Sequence, residues 1–133
     1  MADTVTSQTI QDGQKTAILK FTNVSDGTGE NAVKKVDVSA LEKNDKGESC
    51  TSVSISRIYW ACAGMGVNIE FDATSNVLAI GLPADSTGDE YYDLFTGIPN
   101  NAGSGVTGDI DFTTKGHSSG DTYSIILVLT KNY

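Results

Sequence analysis

Apolar and polar residues alternate with a period of two through most of this chain, the signature of strands with one face in a core. Residues 15–24 set the pattern, with Ala17, Leu19 and Phe21 on one face and Thr16, Ile18, Lys20 and Thr22 on the other. The run stops in Ser25-Asp26-Gly27-Thr28-Gly29, too rich in Gly and small polar residues to continue as strand or helix. Residues 3–11 read as the first strand. Asp12-Gly13 between the two predicts a hairpin closed by a tight type I′ turn, because Gly tolerates positive φ and Asp does so at modest cost. Val5 and Ile10 fall on opposite parities of the first strand. That predicts a bulge, or an edge position with a short N-terminal arm over residues 1–10.

The same alternation recurs downstream. Residues 32–38 read as a third strand, with Val36 and Val38 inward and Lys35 and Asp37 outward. Residues 41–49 are polar, contain Asp45-Lys46-Gly47, and are the one place where a short helical turn is expected. Val53 and Ile55 open a long strand that runs through Arg57-Ile58-Tyr59-Trp60 and ends where Gly64 and Gly66 free the backbone. Tyr59 and Trp60 are adjacent in that strand, so one of the two faces the core. Val67, Ile69 and Phe71 alternate with polar residues and pair in a hairpin with residues 77–82, which Pro83 closes.

Between residues 84 and 108 the texture changes. Asp85-Ser86-Thr87-Gly88 reads as a turn, Tyr91, Tyr92, Leu94 and Phe95 as a compact aromatic segment, and residues 99–105 as a long flexible loop. Ile110 and Phe112 then share a strand face. Residues 122–131 form the most hydrophobic strand, apolar on both faces through Ile125, Leu127 and Leu129 against Ile126 and Val128, which predicts a central strand covered on each side. About eight or nine strands with essentially no helix predict an all-β fold, an antiparallel β-sandwich of jelly-roll-like arrangement. With 133 residues and no internal repeat, it is read as one domain over residues 1–133.

Seventeen acidic side chains against nine basic give a formal charge of −8. That argues against a nucleic-acid surface built on clustered Lys and Arg, and against attraction to anionic lipid. No apolar run approaches the roughly 20 residues of a membrane helix, and Met1-Ala2-Asp3-Thr4 lacks the basic start and apolar segment of a signal peptide. Cys50 and Cys62 are the only cysteines. They could form one bridge, but Cys62 lies in the apolar run Trp60-Ala61-Cys62-Ala63, where a buried free thiol is the commoner state.

Candidate chemistry is sparse. The one histidine, His117, sits in a Gly- and Ser-rich turn beside Ser118 and Asp121, but neighbours in one turn rarely converge as a triad, and no nucleophile elbow is present. Asp72, Asp85, Asp89, Glu90, Asp109 and Asp111 fall in turns or on outward faces, as solvated carboxylates do. The loops beginning at Asp26 and Asp85 crowd oxygen ligands around glycines without the EF-hand spacing, so turn chemistry accounts for both. Asn23-Val24-Ser25 fits a glycosylation sequon, which means little without a secretion signal. The residues predict no enzyme, no catalytic group, no metal and no cofactor.

Three stretches carry a resemblance. Leu19-Lys20-Phe21-Thr22-Asn23-Val24-Ser25-Asp26-Gly27-Thr28-Gly29-Glu30, Leu82-Pro83-Ala84-Asp85-Ser86, and Gly108-Asp109-Ile110-Asp111-Phe112-Thr113-Thr114 with the following Gly116-His117-Ser118-Ser119-Gly120-Asp121-Thr122-Tyr123-Ser124 are similar to small virion structural proteins of tailed bacteriophages. Size, acidity and all-β character look most like a capsid decoration, or cement, protein. The resemblance implies a non-enzymatic protein on the outer capsid surface of the virion, often trimeric, whose partners are the major capsid protein and copies of itself and which stabilises the expanded lattice. On this reading Val5 and Ile10 would supply a docking arm or edge, and Tyr91, Tyr92 and Phe95 a partner-binding patch, since Tyr is enriched at interfaces. The loop at residues 99–107 would offer a further contact. Two other classes share these features. One is a phage tail or baseplate component; the other is a carbohydrate-binding β-sandwich adhesin that stacks sugars on Trp60, Tyr91 or Tyr92.

Overall fold

The computed structural model describes residues 3–91 and 97–133. Among these residues nine strands form two antiparallel sheets: β1 (Thr4–Asp12), β2 (Thr16–Val24), β3 (Val33–Val36), β4 (Ser52–Ala63), β5 (Gly66–Phe71), β6 (Val77–Leu82), β7 (Thr87–Tyr91), β8 (Ile110–Lys115) and β9 (Thr122–Asn132). One sheet has the order β1-β2-β9-β4-β7 and the other β3-β8-β5-β6. Without β1, the two four-stranded orders are those of a jelly roll, with β1 added outside β2. The all-β sandwich expected from the alternation is what forms.

The inward residues of the alternating strands, joined by Ile58, which parity did not place inward, make the core. Ala17, Leu19 and Phe21 of β2, Ile125, Leu127 and Leu129 of β9, and Ile55 and Ile58 of β4 face Val67, Ile69 and Phe71 of β5 and Ile110 and Phe112 of β8, all buried. Each of these side chains larger than Ala17 contributes about 1.5–3 kcal/mol on leaving water. The Phe112 ring meets Phe21 and Tyr123 edge-on, with centroids 5.3 and 5.8 Å apart. Ile55 and Ile58 share a face because β4 bulges at Ser56, where the register on β9 shifts by one residue. Cys50 and Cys62 are buried, unbridged thiols, and burial pushes both above the ordinary thiol range.

Several local expectations change. The hairpin at Asp12-Gly13 forms, but Gly13 does not have positive φ; Asp12 still pairs with Ala17, and residues 13–15 make a wider loop closed by Gly13 N–H donating to the Thr16 carbonyl at 2.9 Å. Residues 4–10 are not a free arm. They are paired strand along the sheet edge, and the bulge expected between Val5 and Ile10 falls at Ile10 itself. The helical turn lies at Val38–Ala40, just before the polar loop, where the Asp37 carboxylate accepts from Ser39 N–H. Thr87 and Gly88 are not turn residues but open β7, the opposite edge strand. β9 is central in its sheet, but only one face is covered: Ile126 and Val128 are half-buried on an outer face that no second layer overlies among the described residues. The loop at residues 99–105 is tied down, with Ile98 bridging Ile55 and Ser104 accepting from Thr74 N–H.

Candidate functional site

Of the residues singled out as partner-binding, Val5 and Ile10 lie on β1, 44% and 50% exposed. Val5 pairs with Asn23 and therefore shares the core-facing side of the sheet. It stays in solvent because the sandwich is open along this edge, where a cavity of about 220 Å³ is lined by Ser7, Thr9, Leu19, Phe21, Val36 and Leu41. The outward backbone of β1 has no strand beside it among the described residues, so the edge offers a ladder of unpaired N–H and C=O groups.

Tyr91 ends β7 and is 58% exposed. It belongs to an ordered square on the outer face. Arg57 pairs across strands with Tyr91, and Tyr59 with Asp89. The Arg57 guanidinium lies 4.5 Å from the Tyr59 ring centroid and 5.1 Å from that of Tyr91, and it donates to both carboxylate oxygens of Asp89 at 3.0 and 2.8 Å. The hydrogen bonds and charge of Arg57 hold Asp89 below the usual carboxylate range. Trp60 takes the core side, packed over Gly88 with its indole N–H on Ser86 Oγ at 3.0 Å, so it offers no outer stacking platform. The structure therefore sets Val5 and Ile10 on one edge and Tyr91 on the other edge of the same sheet. Tyr92 and Phe95 lie outside the described residues.

The smaller candidates resolve into turn chemistry. His117 Nδ1 contacts Thr114 Oγ1 at 3.2 Å, while the Asp121 carboxylate accepts from Ser118 N–H instead of orienting the imidazole. Gly29, at φ +77°, lies under the His117 ring, where any Cβ would collide. Asp26 accepts from Thr28 N–H and Asp85 from Gly64 N–H. Among the described residues no three His, Cys, Asp or Glu side chains group as a metal site would require.

Two polar clusters escaped the sequence reading. On the outer face of the four-stranded sheet, Asp111 is buried beside Asp72, Glu70, Asn76 and Lys34. At one end of the core, Asn23, Glu30, Lys35 and Tyr123 are linked through one carboxyl group. Asp3 closes that end from outside. Its carboxylate accepts from Asn23 Nδ2 and from the N–H groups of Asp26 and Gly29, each at 3.1 Å. Partial burial opposes ionisation there, but the hydrogen bonds from Asn23, Asp26 and Gly29 outweigh it and keep Asp3 below its ordinary range. The glycosylation sequon is closed, since Asn23 is buried. Its inward position was readable from the parity of Ala17, Leu19 and Phe21; the inward turn of Lys35 was not. No protein-family model, no curated protein and no solved structure matches this chain.

Proposed function

We propose that this chain is a non-enzymatic structural protein of a tailed-phage virion, a decoration protein that binds the outer capsid surface and reinforces the major capsid lattice. The resemblance carried by residues 19–30, 82–86 and 108–124 supplies the class. The observation that supports a docking role is the open β1 edge, a nine-residue strand bearing exposed Val5 and Ile10 beside a partly open sandwich seam. An extended segment of a neighbouring subunit can add to such an edge through main-chain hydrogen bonds, with pockets between the sheets taking its side chains. Weak contacts of this kind add across a lattice through multivalency. A net charge of −8 keeps the free protein soluble and limits indiscriminate association.

The test is binding of the purified protein to expanded capsids that lack it. Saturable binding at hundreds of copies per head supports decoration. Absence of binding to otherwise normal shells overturns it, and a few copies located near the tail assign the protein to the tail or baseplate.

A further inference from the structure

At the end of the core where β2 and β3 meet, a lysine, an asparagine and a glutamate come together out of water. Glu30 lies in the connection between the two strands and its carboxyl group holds both partners, Lys35 Nζ at 2.5 Å from Oε2 and Asn23 Nδ2 at 2.9 Å from Oε1. The Lys35 and Glu30 side chains are only 5% and 6% exposed, and Asn23 is fully buried. Tyr123 donates its hydroxyl to the same Oε1 at 2.6 Å. The Phe112 ring lies 6.0 Å from Lys35 Nζ and is flanked by Phe21 and Tyr123, so aromatic rings wall the site. Lys35 reaches this position because it is the bulged residue of β3: the register on β8 passes from Lys34 opposite Asp111 to Val36 opposite Ile110. Asn23 comes from the other sheet. Its Oδ1 is a buried acceptor with no hydrogen-bond partner among the described residues.

A buried carboxylate that holds an ammonium on one oxygen and a primary amide on the other gathers reactants as well as neighbours. We propose that Lys35 and Asn23 join through their side chains in an intramolecular amide, with Glu30 as the acid–base group. Glu30 takes a proton from the Lys35 ammonium, which frees the Nζ lone pair and leaves a carboxyl O–H. Rotation of the Asn23 amide lets Oδ1 accept from that O–H, which satisfies the unpartnered oxygen and polarises Cγ. The Nζ lone pair attacks Cγ and a new C–N bond forms. The proton on the attacking nitrogen passes by way of Glu30 to Nδ2, the Cγ–Nδ2 bond breaks and ammonia leaves. The Asn23 amide lies beside Asp3, whose half-buried carboxylate marks the way to solvent. The buried ion pair, expensive to hold away from water, ends as a neutral amide and a neutral carboxyl. The product ties the two sheets together covalently.

Intact-mass spectrometry of the folded protein tests this directly. The expected result is a mass about 17 Da below that of the sequence, one ammonia lost. After trypsin, the peptide of residues 21–34 should be found joined to that of residues 35–43. Lys35→Arg keeps the charge pair with Glu30, and with it the fold, but removes the nucleophile, so it should run at its full sequence mass. Glu30→Gln should also remain unlinked. Wild-type protein at full mass overturns the proposal. So does a loss of about 17 Da without the joined peptides, which is a cyclised asparagine. Linkage that persists undiminished in Glu30→Gln removes Glu30 from the reaction and overturns the mechanism.

Discussion

The carboxyl groups of Asp72 and Asp111 lie within hydrogen-bonding reach of each other, and Asp111 is buried although it points away from the core. Asn76 Nδ2 bridges Asp111 Oδ2 and Glu70 Oε1 at 3.0 and 3.3 Å, and Thr107 donates to Asp72 at 2.7 Å. Lys34, the strand partner of Asp111, directs its ammonium to Asp109 at 2.8 Å. Among the described residues no donor reaches Asp111 Oδ1. The loops at residues 72–76 and 97–109 meet at this pair.

Burial first, then the facing Asp72, raises Asp111 to about pKa 6, while hydrogen bonds from Thr107 and Asp111 hold Asp72 below its usual range. The folded state thus keeps a proton on Asp111 that the unfolded chain releases near pH 4. This contribution is complete below pH 4 and is lost as pH rises through about 6, on the order of 2 kcal/mol. Urea unfolding should show stability falling between pH 4.5 and pH 7. In Asp111→Asn, whose amide can donate to Asp72 at any pH, that slope should flatten and stability at pH 7 should rise.

Gly88 allows Trp60 to lie across β7. A Cβ there would stand 2.4 Å from two carbons of the indole. Gly88→Ala should cost about 1–3 kcal/mol by forcing the ring out of place. Trp60 is the only tryptophan, so its fluorescence spectrum should shift with the loss in melting temperature. An unchanged spectrum would show that the ring does not rest on Gly88.

Lys131 anchors the first hairpin from inside. Its side chain is fully buried, and Nζ donates to the Asp12 carboxylate and to the carbonyls of Gly13 and Glu42. Lys131→Met keeps the apolar stem but takes the ammonium from the Asp12 carboxylate, which keeps the Glu42 N–H, and from the Gly13 and Glu42 carbonyls, and should cost about 2–4 kcal/mol in chemical denaturation.

Ile10→Lys and Val5→Lys place a charge on the open β1 edge at side chains that are exposed and outside the buried core. Stability should stay within about 0.5 kcal/mol of wild type. Co-sedimentation with capsids should weaken by about tenfold or more, as expected where an apolar contact anchors an interface. Retained binding would move the docking surface away from β1.

The inward sets Ala17, Leu19, Phe21 and Ile125, Leu127, Leu129 were legible in the sequence because a strand with one face in a core must alternate strictly. The mismatch of Val5 and Ile10 announced the Ile10 bulge for the same reason. β7 was hidden because its residues, Thr-Gly-Asp-Glu-Tyr, carry no apolar alternation; an edge strand over a single packed tryptophan needs none.

Local alternation thus determined the all-β class, the core faces and the inward position of Asn23, since each follows from a two-residue repeat against one apolar layer. Tertiary structure alone decided the jelly-roll strand order, which depends on pairings between residues far apart in the chain. It also decided the outer face left uncovered beside β9 and the meeting of Lys35 with Glu30 and Asn23. Parity sends Lys35 to solvent. Only the bulge formed where β3 pairs with β8 turns it inward, and no repeat within the strand's own sequence encodes that partner.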